Sequence, residues 1–486
     1  MMPASERKED HYKRFCLQRI LLLLLFIPGA ISFVQGQTIS IDSFPFPKFG
    51  KIYTYNSSSS PERIIIMISG DGGWKYGVPQ FAREFAKTNA LVVGVDILSY
   101  YKHLRHLETD CYMVSADFVE LGTIMEEKYK FREYTPAVLM GYSSGATLVY
   151  GILAQSRQGT YKGGISLGFC PDIDLPKMLC QIYGLKGNEL VKGKSQVFLP
   201  DERMANEWIV LQGQKDKICD FRTIETFVNK TNNAGIVTLP EGGHDFSRWA
   251  EFMPQWKSAY NKILESYDSV QGVNDRDLKE ERIQSVITMG KQGNNGDLIA
   301  LFFSGDGGWY SFEQSIADRL AEEGISTIGI DIKKYLWNRK SPETVSSDIS
   351  LLLKSFSKEW GRSKIIILGY SQGAEIIPFI FNRLPEKQKF ATSSLVMLSP
   401  GETTDFEIHV TNMMGLGNRE NTFDVIAEIS KISNTRQICI FGDNENPKVR
   451  DALQGSKVES VTVPGDHHYK NSTSVIVKVL KDRKVF

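Results

Sequence analysis

Two short segments of the chain place a serine between two glycines at the end of an apolar run. Ser143 lies in MGYSSGATL and Ser371 lies in LGYSQGAEI, so both match the pattern Gly-x-Ser-x-Gly. At a turn from a buried strand into a helix, such a serine is lifted clear of the sheet, and the glycines allow the helix to approach closely. The pattern predicts a nucleophilic serine in each half, with a purely structural turn as the alternative.

A nucleophilic serine of this kind needs an acid and a histidine, which follow it in that order on later loops. In the first half, Asp216 follows the apolar segment EWIVLQ, and His244 lies in LPEGGHDF. The second half offers two candidates for each role at nearly the same intervals: the acids Glu445 and Asp443, and the histidines His467 and His468. We prefer His467 over His468 because it keeps the first half's spacing to the next aromatic residue.

The segment SGDGGW occurs in both halves and ends at Trp74 and at Trp309. Small residues that follow a strand can turn their backbone N–H groups towards a substrate oxyanion. We expect these donors in the second half near Asp306 and Gly307, together with the N–H of Gln372; the matching residues of the first half are Asp71, Gly72 and Ser144. A phosphate-binding loop is disfavoured because the segment has neither a GK[ST] ending nor a GxGxxG pattern.

Glu375 distinguishes the second half from the first. It lies one helical turn after Ser371, where the first half has Thr147. A carboxylate at this position can receive an ammonium group beside the nucleophile, but it also complements the dipole at the start of a helix. Both interpretations stay open.

The repeated motifs indicate that the chain is a tandem duplication. Segments such as AVLMGY and KIIILGY are typical of buried strands, while AREFAKTNA and IADRLAEEG have helical spacing. This alternation predicts an α/β fold with two domains, each a mostly parallel sheet with helices on both faces. We place the first domain at residues 37–267, a polar linker or short exposed helix at residues 268–282, and the second domain at residues 283–486.

The N-terminus has the character of a secretory signal sequence. Basic residues precede an apolar run from Ile20 to Val34, which Pro28 and Gly29 interrupt. This run is shorter than the roughly 20 residues that a spanning helix needs. The sequence therefore predicts a cleaved signal over residues 1–36 and export to an oxidising compartment, with an uncleaved anchor as the alternative.

Cysteines and charge narrow the possible partners. Cys16 would leave with the signal, and four of the other five cysteines lie in the first half, so up to two disulfides and a free, buried Cys439 are expected. No Cys/His spacing suggests a metal site, and no cofactor is expected. Basic and acidic residues number 57 each, so no net charge favours binding to nucleic acid.

Several segments together resemble the AcvB/VirJ proteins of bacterial virulence and envelope physiology. They are SGDGGW, GYSSGATLVYG, SLGFCPDIDL and LQGQKDKICD in the first half, and IGIDIKKYLW, GYSQGAE and the GDHH loop in the second. The resemblance covers nearly the whole chain after the predicted signal and has the two-lobed AcvB layout. It implies a periplasmic α/β-hydrolase, and the AcvB branch implies removal of the lysyl group from lysyl-phosphatidylglycerol.

The resemblance also implies that the second lobe carries the activity, at Ser371, at Glu445 or Asp443, and at His467 or His468. The acid loop NENPKVRD departs from the family pattern because it lacks a run of acidic residues that ends in cysteine.

The leading hypothesis is therefore a serine esterase that acts on an aminoacylated phospholipid at the membrane surface. An envelope protein that binds secreted or pilus proteins is one alternative, and a broader lipid esterase is another. Residues 403–423 are long enough to form a cap, in which Met413, Met414 and Leu416 would contact acyl chains or pack onto the sheet.

Overall fold

The protein is described here by a computed structural model. The described residues are 38–75, 77–107, 109, 111–245, 248–277, 285–290, 295–408, 422–469 and 473–486. The predicted signal sequence lies outside them, as do residues 278–282 of the predicted linker and Met413, Met414 and Leu416 of the predicted cap.

The first half builds a sheet of eight strands. They are β1 (Ser40–Phe46), β2 (Gly50–Asn56), β3 (Arg63–Ile68), β4 (Ala90–Val95), β5 (Val138–Tyr142), β6 (Gly163–Leu167), β10 (Trp208–Gly213) and β11 (Ala234–Leu239). Their order is β1-β2-β4-β3-β5-β6-β10-β11. Strands β1 and β2 are antiparallel to their neighbours, and the remaining pairs are parallel. Three short strands form a separate small sheet: β7 (Asp172–Ile173), β8 (Gly187–Val191) and β9 (Ser195–Phe198).

The second half repeats this arrangement with seven strands. They are β12 (Ser285–Thr288), β13 (Leu298–Phe303), β14 (Ser326–Ile330), β15 (Lys364–Tyr370), β16 (Thr392–Leu398), β19 (Arg436–Gly442) and β20 (Glu459–Val463). Their order, β12-β14-β13-β15-β16-β19-β20, matches that of the first sheet from β2 to β11. Only β12 is antiparallel to its neighbour. Strands β17 (Thr403–Thr404) and β18 (Phe423–Asp424) pair with each other.

Helices connect the strands of both sheets. In the first half they are α1 (Val78–Ala86), α2 (Ile97–Arg105), α3 (Val114–Lys128), α4 (Ser144–Ala154), α5 (Phe221–Asn229) and α6 (Trp249–Asp277). In the second half they are α7 (Ser311–Glu322), α8 (Ile332–Tyr335), α9 (Pro342–Trp360), α10 (Gln372–Arg383), α11 (Glu386–Ala391), α12 (Val425–Ser430), α13 (Lys448–Ala452) and α14 (Thr473–Asp482). None of the helices in the described ranges is both long and apolar enough to cross a membrane.

Both faces of each sheet are covered, as the fold class predicted. Successive residues of a strand point to opposite faces, and along β3 Ile64 and Ile66 join one core while Ile65 and Met67 join another. The second of these cores contains Phe81 of α1 and residues of α6. The prediction of two mostly parallel sheets with helices on both faces is therefore confirmed.

The two halves are in close contact. Ile39–Phe486 form one compact unit, and a single apolar core contains residues of both halves. Trp337 Nε1 donates to the carbonyl of Phe131 at 3.4 Å, and Asn338 Nδ2 donates to the carbonyl of Arg132 at 3.3 Å. Helix α6 continues to Asp277, so the predicted linker begins as a helix, and the predicted domain boundaries stay a prediction.

The first half contains two disulfides, the number that the sequence allowed. Disulfides join Cys111 to Cys180 and Cys170 to Cys219. Cys439, in the middle of β19, is free and buried. Both bridges therefore lie in the first half.

Candidate active site

The two serines occupy equivalent, strained turns at the carboxyl ends of central strands. Ser143 separates β5 from α4, and Ser371 separates β15 from α10. Their φ angles are both 52°, with ψ of −122° and −123°, in a region that side-chain-bearing residues rarely adopt. A side chain on Gly369 would place its Cβ 2.3 Å from the carbonyl oxygen of Gly373, so the turn requires glycine there.

In the second half, the turn brings Ser371 to a histidine and an acid. His467 Nε2 lies 3.0 Å from Ser371 Oγ. His467 Nδ1 lies 3.5 Å from Glu445 Oε2, on a carboxylate that is 12% exposed, whereas the imidazole is 43% exposed. The three side chains therefore form a chain of contacts from nucleophile to base to acid, with the looser contact between base and acid.

Glu445 is held in place by its other oxygen. Glu445 Oε1 accepts hydrogen bonds from the N–H of Gly442 and from Ser399 Oγ, each at 2.6 Å. Asp443, the other acid candidate, instead accepts a hydrogen bond from the N–H of Gly465 at 2.8 Å. Of the two acids, the structure places Glu445 against His467 and gives Asp443 a role in holding the loop before the histidine.

His468 faces a different partner. Its Nδ1 lies 2.7 Å from the hydroxyl of Tyr370, which also donates to the carbonyl of His467 at 3.2 Å. Burial and the neighbouring charge of His467 lower the pKa of His468. His468 is therefore placed to hold the loop, and His467 is the histidine at the serine.

The electrostatic surroundings favour a charged imidazole at His467. Burial opposes its protonation, but the hydrogen bond and charge of Glu445, followed by the charges of Asp306 and Glu375, raise its pKa above the usual value. Burial also opposes ionisation of Glu445, but His467, Ser399 and the N–H of Gly442 outweigh it and lower the pKa of this carboxyl. The acid therefore stays ionised where the base needs a counter-ion.

The first half assembles the same three groups more tightly. Ser143 Oγ lies 3.0 Å from His244 Nε2, and His244 Nδ1 lies 2.9 Å from Asp216 Oδ2. The other Asp216 oxygen accepts from the N–H groups of Ile218 and Cys219 at 2.8 and 2.9 Å. Each half therefore contains a complete serine, histidine and acid arrangement.

The disulfide between Cys170 and Cys219 supports Asp216. Cys219, whose N–H donates to Asp216, is bonded to Cys170, and Thr147 Oγ1 donates to the carbonyl of Cys170 at 2.7 Å. Ligand atoms of Asp216, Cys219 and His244 lie within 4.8 Å of one another. Because the sulfur of Cys219 belongs to the disulfide, these residues are arranged as a buttressed triad rather than as a metal site.

The loop SGDGGW passes beside each serine. A Cβ added to Gly305 would lie 3.5 Å from Ser371 Cβ, and one added to Gly70 would lie 3.1 Å from Ser143 Cβ. One expected donor is engaged elsewhere, because the N–H of Gly307 donates to Asp306 Oδ1 at 2.9 Å. The backbone N–H groups of Asp306 and Gln372 are therefore the better-placed candidates for the oxyanion, and the expectation for Gly307 stays a prediction.

Gln372 also holds a neighbouring segment through its side chain. It opens α10, and the first N–H groups of a helix have no acceptor within that helix. Its buried side chain donates to the carbonyls of Asp405 and Glu407 at 3.3 and 3.1 Å. The residue therefore holds the segment after β17 while its backbone faces the serine turn.

Glu375 is 6% exposed and supports the loop after β16. Its Oε1 accepts a hydrogen bond from the N–H of Gly401 at 3.1 Å. Its charge still acts at the site, because it contributes to the raised pKa of His467. The sequence pointed to Glu375 but not to its hydrogen bond with Gly401. It also did not point to Ser399, because only the fold brings this hydroxyl to Glu445.

Comparison with protein families gives one match. The sequence model of the family described as VirJ, bacterial virulence protein, matches residues 62–167 and 297–484, together more than half of the chain. The second segment contains Ser371, Glu445 and His467, whereas the first ends before Asp216 and His244. No curated protein matches the chain.

Three solved structures match less than half of this chain. Est1E from Butyrivibrio proteoclasticus is 14% identical, with 41% of this chain and 92% of that chain covered and a TM-score of 0.32. The esterase domain from a Rhodothermus marinus protein is 13% identical, with 46% and 97% covered and a TM-score of 0.31. MGS-MChE2, an alpha/beta hydrolase enzyme from a metagenome of lagoon sediments, is 16% identical, with 42% and 98% covered and a TM-score of 0.31. Likenesses this weak say nothing of the reaction.

Proposed function

The chain belongs to the VirJ family of bacterial virulence proteins, and on that premise we propose that it is a periplasmic serine hydrolase that cleaves the aminoacyl ester of lysyl-phosphatidylglycerol. The observation that carries the proposal is the contact chain from Ser371 through His467 to Glu445. The family match contains all three of these residues, and this favours the second half as the site of the reaction.

The reaction follows from the positions of these groups. His467 Nε2 takes the proton of Ser371 as Oγ attacks the carbonyl carbon of the lysyl ester, while Glu445 stabilises the imidazolium. The N–H groups of Asp306 and Gln372 stabilise the oxyanion. The intermediate collapses, His467 protonates the leaving oxygen, and phosphatidylglycerol departs. Water then attacks the lysyl-serine ester with His467 as base, which releases lysine and restores the serine.

A cationic acyl group suits the charges around this serine. Asp306 and Glu375 both act on His467 through their negative charge, as its raised pKa reflects. A lysyl ester brings two ammonium groups to the site, and the α-ammonium also activates the ester carbonyl. The first half has Thr147 in place of Glu375, so its site lacks one of these charges.

The location and partner belong to the same proposal. The signal-like N-terminus supports export, and two disulfides are compatible with an oxidising compartment. The substrate is then an aminoacylated phospholipid at the membrane surface. No nucleic acid or cofactor takes part.

A second ester hydrolase in the first half is the other candidate function. The observation that favours it is the contact of 2.9 Å between His244 and Asp216, which is closer than its counterpart in the second half. In this candidate Ser143 is the nucleophile and the second half supports it.

The test compares two serine variants on defined lipids. Purified protein is incubated with lysyl-, alanyl- and unmodified phosphatidylglycerol, and released amino acid and fatty acid are measured. We expect Ser371→Ala to abolish lysine release and labelling by a fluorophosphonate at that site, while the matched Ser143→Ala retains lysine release. Loss of lysine release in Ser143→Ala alone would move the reaction to the first half. Release of fatty acid from the unmodified lipid, with no lysine from the lysyl lipid, would make the protein an ordinary lipase.

A further inference from the structure

A cavity of about 220 Å³ lies where the two halves meet. The first half contributes Tyr134, Arg157, Gln158 and Thr160 to its lining, and the second half contributes Val286, Trp309, Tyr310, Asp331, Lys333 and Lys334. None of these residues belongs to either triad. Three of them are cations and one is an acid, so the lining carries net positive charge.

Lys333 is the most deeply buried of these cations, with 2% of the residue exposed. Its ammonium donates to the hydroxyl of Tyr310 at 2.7 Å and lies 4.6 Å from the ring centre of Tyr134. Within the described ranges it forms no ion pair. An ammonium has three N–H donors, and a buried charge without a counter-ion is costly. Burial accordingly lowers the pKa of Lys333 to about 8, which leaves it largely charged at neutral pH.

The charge of Asp331 favours the charged form of Lys333, but no carboxylate forms an ion pair with Lys333 in the described residues. Asp331 caps α8 by accepting from the N–H of Lys334 at 3.2 Å, and its other oxygen lies 3.9 Å from Lys334 Nζ. Arg157 is partly buried, which lowers its pKa, and its guanidinium forms no ion pair with a carboxylate in the described part of the chain. In the described residues Asp331 therefore has a loose contact with Lys334, while neither Lys333 nor Arg157 has an ion-paired carboxylate.

The duplication supplies an internal comparison for this lysine. Asp96 caps α2 in the first half as Asp331 caps α8 in the second. The residue two positions after Asp96 is Leu98, which is 46% exposed, whereas the residue two positions after Asp331 is Lys333. The turn itself therefore does not need a lysine. Lys333 differs from Leu98 in that it is buried in the cavity that both halves line.

We propose that this cavity binds a phosphate group, with Lys333 and Arg157 as its two counter-ions. Two cations match the charge of about −1.5 to −2 that a phosphate monoester carries at neutral pH. The volume is below the roughly 300–1,000 Å³ of pockets for drug-sized ligands, so the ligand is inorganic phosphate, a small phosphate monoester, or the monoester headgroup of phosphatidic acid. The site is independent of the proposed reaction.

The cavity and the serine contact different residues of the SGDGGW loop. A Cβ added to Gly308 would lie 3.1 Å from Asp331 Oδ1 and 3.2 Å from Lys333 Cε, whereas Gly305 of the same loop approaches Ser371. A phosphate bound by Lys333 would therefore occupy a different position from an acyl group bound at Ser371.

Titration calorimetry with inorganic phosphate and with glycerol 3-phosphate tests the proposal. We expect Lys333→Met and Arg157→Gln each to weaken binding by about tenfold or more, because each removes a charge-assisted hydrogen bond to the ligand. Lys354→Met is the matched control, since Lys354 is exposed and does not line the cavity, and it should bind as the unmodified protein does. Thermal unfolding checks the variants, and Lys333→Met should not lower the melting temperature because it removes a buried charge.

Lipid vesicles distinguish the two sources of phosphate. If the small phosphates bind and the cavity variants lose them, the ligand is a free phosphate or small ester. If only phosphatidic acid vesicles bind, over a phosphatidylcholine blank, and both cavity variants lose that binding, the ligand is a lipid headgroup. Binding that survives both cavity substitutions, or no binding of any of these probes, overturns the site. None of these measurements depends on Ser371, so they stand apart from the test of the hydrolase.

Discussion

Replacing Glu445 by glutamine tests how the second triad works. The oxygen of the new amide can still accept from the N–H of Gly442 and from Ser399, so the loop should keep its shape. The NH₂ group would face Nδ1 of His467, which then has to act as an acceptor. The imidazole would be fixed in the tautomer that carries its proton on Nε2, towards Ser371, and it could no longer take the proton of the serine.

The structure sets the size of the expected loss. The corresponding change of acid to amide in a serine protease costs about 10⁴ in kcat. Here the contact between His467 and Glu445 is 3.5 Å and the imidazole is 43% exposed, so water can replace part of the lost orientation. We therefore expect kcat for lysine release to fall about 10²- to 10³-fold, or roughly 3 to 4 kcal/mol of transition-state stabilisation.

Asp443→Asn is the matched control because its amide oxygen can still accept from the N–H of Gly465. We expect its kcat to stay within about threefold of the unmodified enzyme, a difference below 1 kcal/mol. Steady-state lysine release should be measured for both variants over a range of pH. In the unmodified enzyme activity should rise through a pKa above 6.5, because the base must be neutral and its pKa is raised. In Glu445→Gln the pKa of His467 should fall, because the charge that favours the imidazolium is gone. The residual activity should therefore reach its plateau at a lower pH than the activity of the unmodified enzyme does.

The reasoning would be refuted if Glu445→Gln were as active as the unmodified enzyme while Asp443→Asn lost activity. That result would mean that the catalytic conformation brings the other acid to the histidine.

Two further predictions concern stability. The disulfide between Cys170 and Cys219 spans 49 residues, so replacing both cysteines by serine should lower the free energy of unfolding by about 4 kcal/mol. Urea denaturation of the variant and of the oxidised protein measures this difference. An unchanged free energy of unfolding would show that the bridge hardly constrains the unfolded chain. A Cβ on Gly373 would lie 2.2 Å from the carbonyl oxygen of Ser304, so Gly373→Ala should lower the free energy of unfolding by about 3 kcal/mol or more. The control is Gly235→Ala, whose new Cβ would meet only Lys262 Nζ at 3.9 Å and should change the free energy of unfolding by less than about 0.5 kcal/mol. Equal melting temperatures of the two variants would contradict this.

Local patterns of the sequence were enough to predict the central strands and the serine turns. Strands β5 and β15 are apolar along nearly their whole length because helices cover both faces, and this composition is visible in the sequence. The glycines on either side of Ser371 are likewise a local signal, since the close approach of α10 leaves no room for a Cβ. The repeat then extended each prediction from one half to the other.

Contacts between distant segments were beyond the sequence. Asp443 and Glu445 both follow β19, and which of them reaches the histidine depends on how this loop pairs with the segment after β20, where the N–H of Asn444 donates to Gly465. The antiparallel strand β12 was also missed. The counter-ion role of Arg157 requires the contact between the halves, which no periodicity encodes.

The free thiol of Cys439 gives the second half a built-in reporter of its own opening. The side chain is fully buried in the apolar core on one face of the sheet, and burial raises its pKa to about 12, so a thiol reagent can reach it only when this core opens. The four cysteines of the first half are already bonded and stay silent. The rate of labelling under native conditions therefore measures the local unfolding equilibrium of one half of a duplicated protein, without an introduced probe.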